Sequence, residues 1–249
     1  MTGFTMELAD IAVGVECQFT ATADLCSEYL TDRSAAFSVK VEPADLVFEK
    51  ERVARTARLH GQPRRSYPDE YLETLALYRK ISERMPFYHT VLFHCSALAA
   101  DGEGYLFTAK SGTGKSTHAR LWREYLGERV VMVNDDKPLV RVTGDGAFVF
   151  GTPWRGKHRL GRNMSAPIKA VCLLERGQEN AIREISAAEA YPMLLQQTYR
   201  PADPEALQST MSLLDDLAER VRFFRLSCNM DVDAARVAYE GMNHSGESI

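Results

Sequence analysis

The sequence predicts an α/β fold preceded by a small β-rich unit, and three observations carry that prediction. Apolar runs of strand length alternate with segments whose apolar residues recur at spacings of three and four. A glycine-rich loop, Ala109-Lys110-Ser111-Gly112-Thr113-Gly114-Lys115-Ser116-Thr117, stands between one such run and one such helix. A short apolar run at residues 130–133 then leads straight into Asn134-Asp135-Asp136.

Taken in order, Phe4, Met6 and Leu8 alternate with polar residues, and Ile11, Val13, Val15, Cys17 and Phe19 do so again, at the period of strands. Phe37, Val39 and Val41 repeat the pattern and lead into Leu46-Val47-Phe48. Residues 50–65 lapse into a basic segment ending Gly61-Gln62-Pro63-Arg64-Arg65. That composition suits a connection and sets the boundary between a β-rich unit of residues 1–65 and a unit of residues 66–249. From Pro68 the chain turns helical, with Asp69 and Glu70 at the positive end and Tyr71, Leu75, Tyr78, Ile81 and Met85 at helical spacing before Pro86. Strands at residues 90–99 and 105–109 flank Asp101-Gly102, a hairpin signal. The helix after the glycine loop carries Ala119, Leu121, Trp122, Tyr125 and Leu126 and stops at Gly127. A second hairpin joins residues 138–143 to 147–150, and Gly151-Thr152-Pro153-Trp154-Arg155-Gly156-Lys157-His158-Arg159 follows as a glycine-punctuated basic loop. Strands at 168–174 and 181–185, helices at 187–199 and 204–221, a strand at 221–226 and a final helix complete the pattern. Asp203 and Asp231 read as the N-caps of the last two helices. The tail, residues 243–249, is polar and reads as frayed.

Composition narrows the function classes. With 249 residues, 45% of them apolar, the chain can bury a sizeable core. A net charge of −4 gives no general attraction to nucleic acid or anionic lipid. No apolar run reaches the length of a membrane span, and the first residues lack a basic stretch followed by an apolar core. Five cysteines with no Cys-x-x-Cys pair argue against a disulfide framework and a zinc ribbon. The expectation is a cytoplasmic protein without nucleic-acid or membrane partners; homo-oligomerisation is left open.

The glycine loop follows G-x-x-x-x-G-K-[ST], the Walker A pattern, except that Ala109 takes the place of the first glycine. In a strand–loop–helix setting, the backbone N–H groups of Ser111, Gly112, Thr113, Gly114 and Lys115 point at a bound phosphate, helped by the helix N-terminus. Lys115 then reaches the β- and γ-phosphates, the Ser116 hydroxyl ligates Mg²⁺, and Thr117 completes the ATP-binding set. Asp135 and Asp136 follow a strand at the edge where α/β sheets bind ligands. One carboxylate can hold Mg²⁺ and the other can take a proton from an acceptor hydroxyl. His94, among apolar neighbours, reads by itself as a packed, hydrogen-bonded histidine. Arg155, Lys157, His158, Arg159 and Arg162 lie on a flexible loop able to close over transferred charge, and Trp154 argues that the loop packs on something.

His94, the hairpin, Ser111-Gly112-Thr113-Gly114-Lys115-Ser116 and Val133-Asn134-Asp135-Asp136 together resemble the catalytic domain of the HPr kinase/phosphorylase family. The resemblance extends from about Tyr71 to the final helix. It is nearest to the HPr-kinase-related, ScmC-like proteins found beside peptide-modification genes, which share Gly-Thr-Pro-Trp-x-Gly-Lys. It is more distant to the ATP-dependent phosphoenolpyruvate carboxykinases. It implies a P-loop phosphoryl-transfer core of the HPr kinase C-terminal-domain type using ATP and Mg²⁺. Asp135 would be the acid/base, with His94, Lys115, Arg155 and Lys157 in the catalytic site and Ser116, Asp136 and Asp135 around the metal. The Leu-Glu-Ile-Arg-Gly signature of HPr kinases is absent from this chain. The reading is an ATP-dependent kinase acting on a hydroxyl, a serine of a peptide or protein or free serine. A non-catalytic nucleotide-binding accessory protein and a carboxykinase-like enzyme are the alternatives.

Overall fold

In the computed structural model, which describes residues 2–59, 61, 63 and 66–244, two left-handed residues turn the first alternating stretch back on itself. They are Ala9 (φ 51°) and Asp10 (φ 62°), and they pair β1 (Thr2–Leu8) antiparallel with β2 (Ile11–Cys17). β3 (Phe37–Lys40) joins β2 in parallel, so the chain crosses over through the short helix α1 (Thr20–Leu25). Two longer helices follow, α2 (Pro43–Leu59) and α3 (Asp69–Arg84).

Helix α2 corrects the sequence reading, which continued a strand through Leu46-Val47-Phe48 and placed a connection from residue 50. The charges that read as a solvated connection are helix partners. The buried Glu49 carboxylate accepts from Arg52 Nε at 2.6 Å and from Arg79 Nε of α3 at 2.7 Å, while Asp45 accepts from Arg79 and from Lys80 Nζ at 2.6 Å. A second buried carboxylate, Glu73 of α3, accepts the backbone N–H groups of Gln18 (2.6 Å) and Phe19 (3.0 Å) and the Thr22 hydroxyl (2.6 Å), so it caps α1 from another helix. Through these bonds α3 groups with the first unit. Contacts divide the chain into residues 1–84 and 85–249, whereas the sequence reading divided it before α3. The expectations for Gln62, Arg64, Arg65 and residues 245–249 lie outside the described residues.

The second unit is a mixed α/β structure on one curled, nine-stranded sheet. Its pivot is β10 (Ser165–Arg176), twelve residues long. The first residues of β10 pair antiparallel with β9 (Gly146–Phe150), which continues through β8 (Leu139–Thr143) to β4 (Thr90–Leu92). After a register shift between Ile168 and Ala170, β10 runs parallel to β6 (Glu103–Thr108) on one side and β12 (Arg222–Cys228) on the other. β5 (Ser96–Ala100) lies antiparallel between β6 and β7 (Val130–Asn134), so β6, β7 and β10 end at the same sheet edge. β11 (Ala181–Ile185) flanks β12. The Asp101-Gly102 hairpin forms as expected, with both residues at positive φ.

The expected strand at residues 90–99 breaks in two. β4 belongs to the β8 side of the sheet and β5 to the β6 side, and the chain switches between them at Phe93-His94-Cys95. Asp231 is also not the side-chain cap of the last helix, α7 (Asp233–Asn243); its backbone oxygen accepts from Ala234 instead. Asp203 does cap α6 (Pro204–Arg220), accepting from Ala206 N at 2.8 Å. Among the described residues no helix is long and apolar enough to cross a membrane.

Alternation along the central strands builds two cores. Tyr105, Phe107, Ala170, Cys172 and Leu174 face α4 (Lys115–Leu126) and α7, while Leu106, Val171 and Leu173 face α5 (Ala187–Gln197) and α6. The α4 side contains a buried histidine. His118 stacks edge-on against Phe107 and accepts from Trp122 Nε1 through Nε2 at 3.1 Å. Burial pushes its pKa down to about 3. The folded chain therefore holds His118 neutral while the unfolded chain protonates it below about 6.5, so its contribution is present above that pH and is lost as pH falls toward 3. Between pH 6.5 and 4.5 the loss is on the order of 2 kcal/mol by linkage. Unfolding free energies measured across that window are expected to fall more steeply for wild type than for His118→Gln, and equal slopes would show that His118 carries no such linkage.

Candidate functional site

The edge where β6, β7 and β10 end is also where β5 begins, so four strands deliver chemistry-bearing residues to one place. From β6 the chain enters the glycine loop through Ala109, fully buried as the continuation of the strand. Ala109 occupies the place of the first glycine of the pattern. Gly112 (φ 79°) and Gly114 (φ 128°) hold backbone angles that side chains rarely adopt, and nothing lies within 4 Å of where a Gly112 Cβ would project. Helix α4 starts at Lys115, whose Nζ donates to Ala109 O at 3.3 Å. Burial lowers the Lys115 pKa, a shift opposed by Cys95 and by the carboxylates of Asp136 and Asp135.

The two carboxylates at the end of β7 meet opposite surroundings. Asp135 is buried; its Oδ1 accepts from Ser96 Oγ at 2.7 Å, and the nearby Ser116 hydroxyl also favours its ionised form. Burial raises its pKa against both effects. Asp136 is more exposed. Burial alone would raise it too, but His94 Nε2 at 3.2 Å and the Lys137 ammonium outweigh that and hold it down at about 2. One carboxyl is thus shifted toward accepting a proton and the other toward remaining ionised. The fully buried Cys95 thiol, which feels the charges of Lys115 and both carboxylates, is pushed well above its usual pKa by burial.

Asn134 fixes this turn. Its side-chain oxygen accepts from Asp136 N (2.9 Å) and Lys137 N (2.7 Å), and its Nδ2 donates to Thr152 O (3.1 Å) and Oγ1 (3.0 Å). Thr152 in turn donates from Oγ1 to Lys137 O at 2.8 Å. The basic loop is therefore tied to the carboxylate turn along its outgoing limb. The returning limb pairs with β7 directly, through Asp135 N to Leu160 O and Arg162 N to Val133 O, both at 3.1 Å. Glycines permit these approaches. A Cβ on Gly151 would meet Arg162 O at 1.9 Å, one on Gly161 would meet Val133 O at 2.8 Å, and one on Gly156 would meet Asp136 Cβ at 2.8 Å. Trp154 is buried, as its size led one to expect, and Arg155 is half-buried against Gly161. Lys157, His158 and Arg159 sit exposed at the tip.

The structure thus gathers His94, Lys115, Ser116, Asp135 and Asp136, with Gly156 of the basic loop resting on Asp136. The sequence reading missed several partners of that group. Ser96 and Lys137 gave no motif, Asn134 read only as the variable position before Asp135, and Arg176 lay beyond the strand expected at residues 168–174. Arg176 Nε donates to Thr113 O at 3.3 Å and its Nη2 to Gly112 O, so the end of β10 holds the glycine loop by its carbonyls. A close Asp-Asp pair one residue beyond an asparagine was the one signal pointing to Asn134, since such side chains brace turns.

The donors facing this edge are hard oxygens from one hydroxyl and two carboxylates. Among the described residues no group of three or more His, Cys, Asp or Glu forms a closed cage. That set fits Mg²⁺, which takes one or two carboxylates and completes its shell with water and phosphate.

Residues 68–236, more than half of the chain, match the sequence model of a family described as SynChlorMet cassette protein ScmC. The chain belongs to the ScmC family. No curated protein matches it. Among solved structures, this ScmC-family chain is similar to the HPr(Ser) kinase/phosphatase from Coxiella burnetii, at 11% identity and a TM-score of 0.37, over 60% of this chain and 94% of that one.

The glycine contacts give a direct test of the loop's seat. Gly151→Ala is expected to destabilise the chain by about 2–3 kcal/mol, the cost of overpacking against backbone, because its Cβ has no room beside Arg162 O. Gly144→Ala, in a hairpin turn with nothing within 4 Å, should leave the thermal midpoint within about 1 °C of wild type. Equal midpoints for the two variants would mean that the basic loop is not seated on β7 as described.

Proposed function

We propose that this ScmC-family chain is an ATP-dependent kinase that transfers the γ-phosphate to a hydroxyl, a serine of a peptide or protein or free serine. The observation that carries the reading is the sheet order, which brings the glycine loop after β6 and Asp135-Asp136 after β7 to one edge, with Asp135 bonded to Ser96 of β5 between them. It joins a glycine loop able to cradle phosphates to a carboxylate pair able to handle the acceptor. The likeness to an HPr(Ser) kinase/phosphatase in its coarse fold agrees with this reading but does not carry it.

In this reading the loop from Ser111 to Lys115 is a P-loop. Its backbone N–H groups and the N-terminus of α4 bind the β- and γ-phosphates, and the positive-φ glycines let the backbone turn inward. Thr117, in the first turn of α4, closes the set. Lys115 adds the charge of its ammonium to the phosphates. Mg²⁺, when bound, supplies charge neutralisation at the phosphate oxygens, and Ser116, Asp136 and Asp135 would hold it. Asp136 suits that role because it remains ionised beside His94 and Lys137. Asp135 takes the proton from the acceptor hydroxyl, and its raised pKa makes it the better base of the two. His94 fixes the Asp136 carboxylate, and Arg155 with Lys157 places positive charge along the far side of the site.

Two substitutions test the assignment. Asp135→Asn is expected to lower phosphoryl transfer from γ-labelled ATP by about 10²–10⁴-fold, the usual worth of general-base catalysis, while nucleotide affinity stays within a few-fold. Lys115→Ala should instead reduce nucleotide affinity itself, measured by titration with a fluorescent ATP analogue. Unchanged affinity in Lys115→Ala removes the P-loop assignment. Tight nucleotide binding by wild type with no transfer to any hydroxyl would point to an accessory, non-catalytic protein.

A further inference from the structure

Many surface charges of this chain are paired. Arg33 meets Glu7, Arg129 meets Asp101, Arg222 meets Glu184 and Arg236 meets Asp233 and Glu240, even though all of these lie on the surface. At the tip of the basic loop four cationic or protonatable side chains stand together without such partners. Lys157, His158, Arg159 and Arg162 are exposed, and among the described residues their side chains make no hydrogen bond or ion pair. Arg159 is also held at φ 52°, a left-handed conformation uncommon for a long side chain, with its N–H donating to Gly156 O at 3.4 Å. In a chain with a net charge of −4, four adjacent cationic or protonatable side chains without anionic partners form a local field that an anion would satisfy.

Sheet order says which anion. Along the functional edge the strands run β10, β6, β5, β7, and the basic loop lies beyond β7, bridged to it at Asn134 and Gly161. The glycine loop follows β6, two strand spacings or about 10 Å from β7. The phosphate side of the site is thus already served by Lys115, the α4 N-terminus and the loop N–H groups. Asp135 stands in the middle, and the unpaired cations stand on its other side. Gly156 rests on Asp136, and His158 is near enough to Asp135 for its charge to favour the carboxylate. A hydroxyl delivered to Asp135 from the side opposite the phosphates brings the rest of its molecule against this tip.

Building on the kinase reading above, we infer that the tip formed by Lys157, His158, Arg159 and Arg162 is the acceptor-binding subsite, and that it selects a hydroxyl acceptor carrying carboxylate charge close to the hydroxyl. Two sources share that chemistry: a serine flanked by acidic residues in a peptide, and free serine through its own α-carboxylate. A neutral or basic acceptor leaves the four side chains unsatisfied.

The test measures binding, so it does not depend on turnover. The chain is loaded with Mg²⁺ and a non-hydrolysable ATP analogue and titrated with a synthetic serine peptide flanked by aspartates and with its asparagine counterpart. Free L-serine and L-serine amide form the second pair. In at least one pair the carboxylate-bearing probe is expected to bind about tenfold more tightly at low salt, with the advantage shrinking as ionic strength rises; the pair that responds identifies the source. In Arg159→Ala/Arg162→Ala the advantage should fall to within about twofold, with nucleotide affinity and thermal midpoint unchanged. Equal binding within both pairs overturns the inference. So does a double variant that loses nucleotide affinity, because its cations would then serve the phosphates. If wild type binds no nucleotide, the kinase reading fails and takes the inference with it; nucleotide binding without carboxylate preference removes the inference alone.

Discussion

The side chain of Asn134 is the interaction on which the site depends. It is fully buried at the end of β7, and its amide satisfies groups on two segments at once: the backbone N–H groups of the carboxylate turn and the Thr152 limb of the basic loop. Each bond is worth on the order of 1 kcal/mol net, and a buried polar group left without its partner costs more. One amide therefore locks the directions of Asp135 and Asp136 to the position of a loop some twenty residues downstream. An aspartate there would lose the donor to Thr152, and an apolar residue would lose both halves.

With the turn fixed, burial and charge divide the labour between neighbouring carboxylates. Asp135 points inward to Ser96 and Ser116, where desolvation dominates, while Asp136 points toward His94 and Lys137, where opposite charge dominates. Adjacent residues with alternating side-chain directions can sample such different surroundings only if the backbone between them is rigid. The close approach of Gly156 and Gly161 supplies that rigidity from outside, because no side chain separates the basic loop from the turn it covers.

Much of the candidate site was legible because the residues it gathers lie in short contiguous motifs. The spacing of Gly112, Gly114, Lys115 and Ser116 and the pair Asp135-Asp136 are contiguous motifs, and periodicity located most strands and helices around them. What was illegible depends on distant partners. Helix α2 read as a connection because its ion pairs with Arg79 and Lys80 lie thirty or more residues away. The break at His94 could not be read from an unbroken apolar run, since it is caused by a change of strand partner from β8 to β6. Ser96 and Arg176 carry no sequence signal at all; only the sheet order brings them to the glycine loop and the carboxylates. The family match spans both the glycine loop and the carboxylate pair, and the inferred acceptor subsite rests on a cluster of exposed, unpartnered cations, which a sequence does not display.

Strand β10 joins these parts into one device. Its N-terminal end continues directly from the basic loop, with Met164 O accepting from Gly151 N at 2.9 Å to close that loop's base. Its C-terminal end carries Arg176, whose guanidinium holds the carbonyls of Gly112 and Thr113. Between the two lie Pro167 and the register shift at Ile168, where the strand leaves one half of the curled sheet for the other. A proline cannot donate to a ladder and is tolerated in a sheet at such irregular places. Straightening that bend would move the basic loop relative to the glycine loop, because both are fastened to the same strand. The curl of the sheet is thus part of the site: it sets the distance between the segment that would bind the donor and the segment that would bind the acceptor.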